Sequence, residues 1–238
     1  MDNVTIVTAV NPKYAARAAK TLPIWMNTPG LKEHQFIIFV NGFRSRNQRK
    51  FLEYPNTKVI RWDYPHPASV RETMLAAFVL GVAEHVQTDY WMKLDCDTLP
   101  KKDHFTWPEV TGNTIVSHRW RRTKMKGADG ATEHWFTTLD RLFAGKHPLF
   151  NPPLDLEKYR RHVSHRRRNP WRIPVRFASF CHIEQTRFTR RMAKLIHKKC
   201  GGRMPIASQD TLSWYMSTIW KEPVKLVNFK EWFDPTLR

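Results

Sequence analysis

No apolar run in this sequence approaches the length of a membrane span. Nothing at the N-terminus sets a basic stretch ahead of an apolar one, as a secretory leader would require. The chain instead goes directly into Val4–Val10, which is strand-like and too short for such a leader. Cysteine is scarce: Cys96, Cys181 and Cys200 are odd in number and lack zinc spacing. That argues against a disulfide framework and for a reducing, cytoplasmic setting. The 11 histidines form no His-x₃-His or His/Cys cluster with metal spacing. His118, His162, His165 and His182 therefore read as basic-surface or core residues rather than ligands. No internal repeat occurs, and no Pro/Gly/Ser linker is long enough to divide the chain. The 238 residues are expected to form one domain, 1–238.

Acidic residues are also in short supply, and unevenly so. The net charge is +19. Residues 1–110 carry 14 Lys and Arg against 11 Asp and Glu, whereas residues 111–238 carry 26 against 10. A nucleotide diphosphate has about two negative charges, which a metal ion largely neutralises. The excess in the second half is far more than that ligand needs. It predicts a polyanionic partner: nucleic acid, an anionic membrane surface or an acidic glycan. The alternative is a basic surface that serves solubility, although such surfaces usually mix both signs.

The first half alternates strands and helices. Val4–Val10 is followed by the Asn11-Pro12 break and a helix over Tyr14–Leu22. Gln35–Val40 is a fully buried strand stopped by Asn41-Gly42. A short helix over Asn47–Tyr54 and a strand over Lys58–Trp62 come next. Ser69 and Glu72 form a capping box opening a helix that runs to about Gln87, with Val70, Met74, Ala77, Phe78 and Val82 on its apolar face. Tyr90–Leu94 is the fourth strand. This order predicts a mostly parallel sheet flanked by helices, with ligands at the carboxyl ends of the strands. The second half is loop-rich, with strands over Thr114–His118 and Val175–Ile183. A basic helix spans Thr186–Lys199, ended by Gly201-Gly202, and a last helix spans Gln209–Trp220, capped by Ser208.

The fourth strand runs into Asp95-Cys96-Asp97. Two carboxylates one residue apart at a strand end can converge on one hard divalent cation, Mg²⁺ or Mn²⁺. Such a cation needs few protein ligands when a substrate diphosphate supplies the rest. The competing reading is an Asp-rich turn.

The opening strand, the Arg71–Gln87 helix, the strand into Asp95-Cys96-Asp97 and the late Gln209-Asp210 together resemble a GT-A glycosyltransferase of the family-2-like group. The likeness covers residues 4–100 well and 175–220 loosely; Gln209 stands where that family more often has Glu. It implies a Rossmann-type α/β fold with a nucleotide-sugar half (1–110) and a basic acceptor half (111–238). It also implies a Mn²⁺- or Mg²⁺-dependent enzyme, inverting, that uses a nucleotide-sugar donor such as a UDP-sugar. By the same resemblance Thr8, Ala9 and Val10 line the nucleotide pocket. Asp63 meets the base or ribose, Arg71 lies near the donor phosphates, and Asp95 and Asp97 hold metal and donor. Asp210 is the base that takes the acceptor proton. Read from the residues alone, Asp210 could equally cap a helix or stabilise its dipole, and Arg71 could be a solvated helix residue. Glu184 is the next carboxylate to consider.

Arg119, Trp120, Arg121, Arg122 and Lys124 form one basic stretch with an aromatic inside it. Arg166, Arg167, Arg168, Trp171 and Arg172 form another. Arginine and tryptophan interleaved can grip phosphates and stack on bases, or the tryptophans can anchor loops in a core. Three functions follow. The first is transfer of a sugar to a base hydroxyl in DNA, such as a 5-hydroxymethylpyrimidine, resembling virus-encoded base-modifying glycosyltransferases. The second is transfer to an anionic cell-envelope glycan at the inner membrane face. The third is a non-enzymatic nucleic-acid-binding protein on an α/β scaffold. Intact Asp95, Asp97 and Asp210 argue against the third, and the arginine-rich composition favours the first.

Overall fold

The computed structural model describes residues 3–66, 68–110, 115–119, 177–204, 209, 212–213, 216–217, 220 and 222–234. Among them the chain builds a seven-stranded sheet in the order β3-β2-β1-β4-β7-β6-β8. The strands are β1 (Val4–Val10), β2 (Gln35–Val40), β3 (Thr57–Arg61), β4 (Tyr90–Leu94), β6 (Ile115–Arg119), β7 (Phe177–Gln185) and β8 (Val224–Val227). β1, β2, β3 and β4 are mutually parallel; β7 runs against both β4 and β6, and β6 and β8 are parallel. Only β7 is reversed, so the sheet is mostly parallel, as the alternating pattern predicts. A short second ladder joins β5 (Leu99–Pro100) to β9 (Phe233–Asp234).

β1 and β2 are apolar on both faces because both faces are covered. Ile6, Val10, Phe36, Ile38 and Met92 pack on one side with Leu22 and Trp25 of α1 (Ala15–Trp25). Val7, Ile37, Phe39 and Trp91 pack on the other. There they meet α2 (Val70–Ala76), a π turn (Ala77–Gly81), α3 (Val82–His85) and α4 (Thr186–Cys200). No described helix is long and apolar enough to cross a membrane.

Several boundaries differ from those read in the sequence. A 3₁₀ turn over Pro12–Tyr14, capped by the Asn11 side chain, precedes α1. α1 then continues through Pro23 to Trp25, because Trp25 is fully buried and donates its indole N–H to the Thr98 carbonyl at 2.8 Å. The Asn47–Tyr54 segment is a 3₁₀ helix over Asn47–Leu52, anchored only by the adjacent Phe51 and Leu52. The capping box at Ser69 and Glu72 is present, and its hydrogen bonds hold the Glu72 carboxyl below its ordinary pKa. The helix behind it is not uniform. Residues Ala76–Val82 are all buried, and the helix widens into the π turn there. Gly81 lies so close to the Phe39 ring that a Cβ would come within 2.8 Å of it.

α4 ends as expected, at Gly201 in the left-handed region with φ +58°. Gly30 also has positive φ, +86°, and a Cβ there would overlap the Phe105 carbonyl. Gly201 faces open space instead. Gly201→Ala should therefore cost only the left-handed penalty, about 1–2 kcal/mol. Gly30→Ala should cost more, because backbone must also move. Thermal and urea melts of the two variants check the order.

Candidate functional site

The carboxyl end of β4 is gripped from one side of α1. Arg17, Thr21 and Trp25 lie four residues apart and so share one helix face. The Thr21 hydroxyl donates to the Cys96 carbonyl at 2.6 Å. Trp25 holds the Thr98 carbonyl, and Arg17 meets Asp97 Oδ2 at 3.2 Å. The Thr98 N–H closes the turn on the Asp95 carbonyl at 2.9 Å. Within this turn the Cys96 thiol is buried, while the side chains of Asp95 and Asp97 keep 33% and 23% of their surface exposed. Burial, reinforced by the two flanking carboxylates, pushes the Cys96 thiol far above its ordinary pKa. The thiol is therefore held neutral.

Asp95 faces the other layer. Strand residues two apart share a face, so Lys93 lies beneath it, with Nζ 3.0 Å from Asp95 Oδ1. Lys93 is 2% exposed and sits over the Phe78 ring at 5.2 Å. Across the antiparallel pair, Lys93 is opposite His182, and Trp91 is opposite Glu184. His182 is fully buried and accepts from the Gln209 amide at 3.0 Å. Gln209 also donates to Ser213 at 2.8 Å. Glu184 accepts from Thr189, which accepts from the Trp91 indole at 2.7 Å. A line of buried polar side chains thus runs from Asp95 along this face to Gln209.

The other residues singled out in the sequence sit as follows. Thr8, Ala9 and Val10 end β1 beside β4. Thr8 and Val10 are buried and Ala9 partly so, and the Thr8 hydroxyl has no hydrogen-bond partner among the described residues. Asp63 follows the carboxyl end of β3, exposed and paired with Arg61 at 2.9 Å. It lines a cleft of about 510 Å³ with Trp62, His66, Lys194 and His197. Arg71 lies in the first turn of α2 and Arg119 ends β6, and the side chains of both lie outside the described residues. So do Asp210, Trp120, Arg121, Arg122, Lys124, Arg166, Arg167, Arg168, Trp171 and Arg172.

Sequence reasoning missed Lys93 and Arg17. Lys93 had a signal: a lysine inside an apolar strand, two residues before an aspartate. Arg17 had none, since its partner is 80 residues away. His182 is a core residue, one of the two readings open in the sequence.

Asp95 and Asp97 present oxygen donors only, and no cluster of three or more His, Cys, Asp or Glu forms among the described residues. That donor set fits a hard cation whose remaining positions are taken by phosphate oxygens and water.

No family model matches the sequence, and no curated protein sequence matches it. Solved structures do. The galactosyltransferase LgtC, in complex with donor and acceptor sugar analogues, is similar over 95% of this chain and 74% of its own, with TM-score 0.54 and 14% identity. An active-site mutant of LgtC aligns over 95% and 73%, with TM-score 0.53 and 13% identity. The bifunctional glycosyltransferase WbbM aligns over 97% of this chain and 40% of its own, with TM-score 0.52 and 10% identity. The likeness is one of fold: a GT-A-like glycosyltransferase fold, whose sheet agrees with the one expected from the sequence.

The burial of the turn predicts its reactivity. A raised thiol pKa leaves less thiolate at any given pH, so alkylation slows. Cys96 and Cys181 are buried, and Cys200 is partly exposed with its pKa raised by burial alone. At pH 8 iodoacetamide should modify Cys200 slowly and spare the other two, whereas all three should react in urea. Peptide mass mapping reads the result.

Proposed function

We propose that the protein is a glycosyltransferase that moves a sugar from a nucleotide-sugar donor to a hydroxyl on a polyanionic acceptor, a 5-hydroxymethylpyrimidine base in DNA. The observation that carries the first part is the pair Asp95 and Asp97 at the carboxyl end of β4, within a glycosyltransferase fold. Open α/β sheets bind ligands at that end. Asp95 and Asp97 would hold Mn²⁺ or Mg²⁺, which stabilises the charge that builds on the leaving diphosphate. Arg17 and Lys93 fix the two carboxylates in direction. α1 holds the turn between them against the sheet, so the donor meets a preorganised edge. Thr8, Ala9 and Val10 border the nucleotide, with Asp63 at the base or ribose and Arg71 near the phosphates.

Asp210 takes the acceptor proton. Support for this role comes from its neighbour Gln209, which is buried and bonded to His182, the cross-strand partner of Lys93 beneath Asp95. The acceptor assignment is supported by charge and by topology. β6 is parallel to β4, and Arg119 pairs with Phe177 at the start of β7. The basic segment 120–176 therefore leaves and rejoins the sheet at the same edge as Asp95 and Asp97. Arg119, Trp120, Arg121, Arg122, Lys124, Arg166, Arg167, Arg168, Trp171 and Arg172 would meet the DNA. A base hydroxyl in a duplex reaches the site by exposure in a groove or by flipping, at a cost of a few kcal/mol that phosphate contacts can offset.

Two experiments test this. Free Mn²⁺, counted by its electron paramagnetic resonance without donor, should show binding that Asp97→Asn abolishes. Arg17→Met should strengthen that binding, because Arg17 competes for the same carboxylate. Equal binding by all three proteins would remove the metal from Asp97.

The second experiment offers UDP-sugars with DNA carrying cytosine or 5-hydroxymethylcytosine, followed by digestion to nucleosides and mass analysis. A hexose or pentose mass should appear on the hydroxymethylated substrate only, and Asp210→Asn should slow it about 10²-fold or more. Label entering a lipid-linked anionic glycan but not DNA would move the acceptor to the cell envelope.

A further inference from the structure

α4 buries Thr186, Phe188, Thr189, Met192, Ala193 and Ile196 against the sheet. At 3.6 residues per turn its opposite face carries Arg187, Arg190, Arg191, Lys194 and Lys198 in one stripe. The whole helix contains no acidic residue. At its start this arrangement works against the helix, although Lys198 in the last turn suits the dipole. Its first turn has a cation, Arg187, and no acid, which opposes the macrodipole, and like charges three and four residues apart repel.

Little among the described residues neutralises the stripe. Among the described residues Arg187, Lys194 and Lys198 make no ion pair. Arg190 is bonded to the neutral Ala83 and Val86 carbonyls and to Gln87. Arg191 lies over the Trp220 ring at 3.9 Å, with Glu222 at the limit of pairing, 3.9 Å. Of the nearby carboxylates, Asp63 is paired with Arg61, Glu84 lies 3.6 Å from the His85 ring and Asp89 accepts from the Asn3 amide.

We infer that the outer face of α4 is a docking track for the phosphate backbone of duplex DNA, an inference that rests on the polyanionic-acceptor reading. The stripe spans about 16 Å at 1.5 Å per residue. At one phosphate per 3.4 Å on each strand, that length faces about five phosphates, and the stripe has five cations. The track also points the right way. α4 starts at the amino end of β4, where the Thr186 N–H meets the Asp89 carbonyl. It ends at Gly201-Gly202, where Tyr64 accepts from the Met204 N–H and donates to the Gly202 carbonyl. Tyr64 follows Asp63, so the stripe leads to the cleft that Asp63 lines. A membrane surface suits it less well: the apolar residues of α4 are buried, and the only large hydrophobic side chain exposed among the described residues is Ile24 on α1. An interfacial helix needs apolar side chains to insert.

The test is duplex DNA binding by fluorescence anisotropy across a salt series. It compares the wild type, the α4 triple variant Arg187→Gln, Lys194→Gln, Lys198→Gln, and a charge-matched triple on the opposite layer, Lys20→Gln, Lys32→Gln, Lys50→Gln. Each lost phosphate contact removes about 0.9 from the slope of log K against log salt. The α4 triple should therefore lower the slope by about 2–3, and the control triple should leave it unchanged. Lys194→Glu alone, a single exposed change, should lower it by about one and serves if the triple folds poorly. Equal losses in both triples would make the effect one of net charge and overturn the track. A steep wild-type slope that the α4 triple leaves intact would overturn the track and keep the acceptor reading. No wild-type binding at low salt would remove the acceptor reading itself. Unchanged DNA binding with lost binding to phosphatidylserine vesicles would assign the stripe to a membrane.

Discussion

Two carboxylates one residue apart repel each other, and a turn that displays both must be held from outside. α1 does this with three side chains at successive turns: a cation on Asp97, a hydroxyl on the Cys96 carbonyl and an indole on the Thr98 carbonyl. Because these groups come from one helix face, the turn cannot tilt without moving the whole helix, and α1 is itself locked by Leu22 and Trp25 in the core. Neutral hydrogen bonds of this kind contribute about 1 kcal/mol each. Their main effect is geometric: the position of the site is set by the packing of the layer behind it.

The opposite layer completes the arrangement with different means. Lys93 is almost wholly buried, and an unpaired ammonium there would be costly. Its pairing with Asp95 turns that cost into a constraint, since the buried ammonium without the carboxylate would be worse than both together. The same face carries His182, Glu184, Thr189 and Gln209, so the β4–β7 pair is a polar seam inside an otherwise apolar core. Polar seams of this kind are sensitive to the loss of any one member.

Much of the fold was legible. Strands β1, β2 and β4 were read at their observed limits, because short, mostly apolar runs that end at Asn11-Pro12, Asn41-Gly42 and Asp95 leave little choice. The Ser69–Glu72 box and the Gly201 stop are local chemistry and were equally plain. The misreadings were tertiary. Pro23 should end a helix, but Trp25 needs two more residues to reach Thr98. The helix after Ser69 should stay regular, but residues buried on every side carry no periodic pattern to fix its phase. In the site, the two aspartates announced themselves by spacing. Arg17 could not, because nothing local marks an exposed arginine whose partner lies in a turn distant in sequence.

The pairing of Arg119 with Phe177 has a consequence for how such a chain can change. Everything between those residues begins and ends at adjacent points on one ladder, so its length is nearly independent of the sheet: loop-closure cost rises only slowly with the number of residues enclosed. The half built on β1 to β4 is pinned by contrast at every step. Residues can therefore be gained or lost between Arg119 and Phe177 at little cost to the strands on either side.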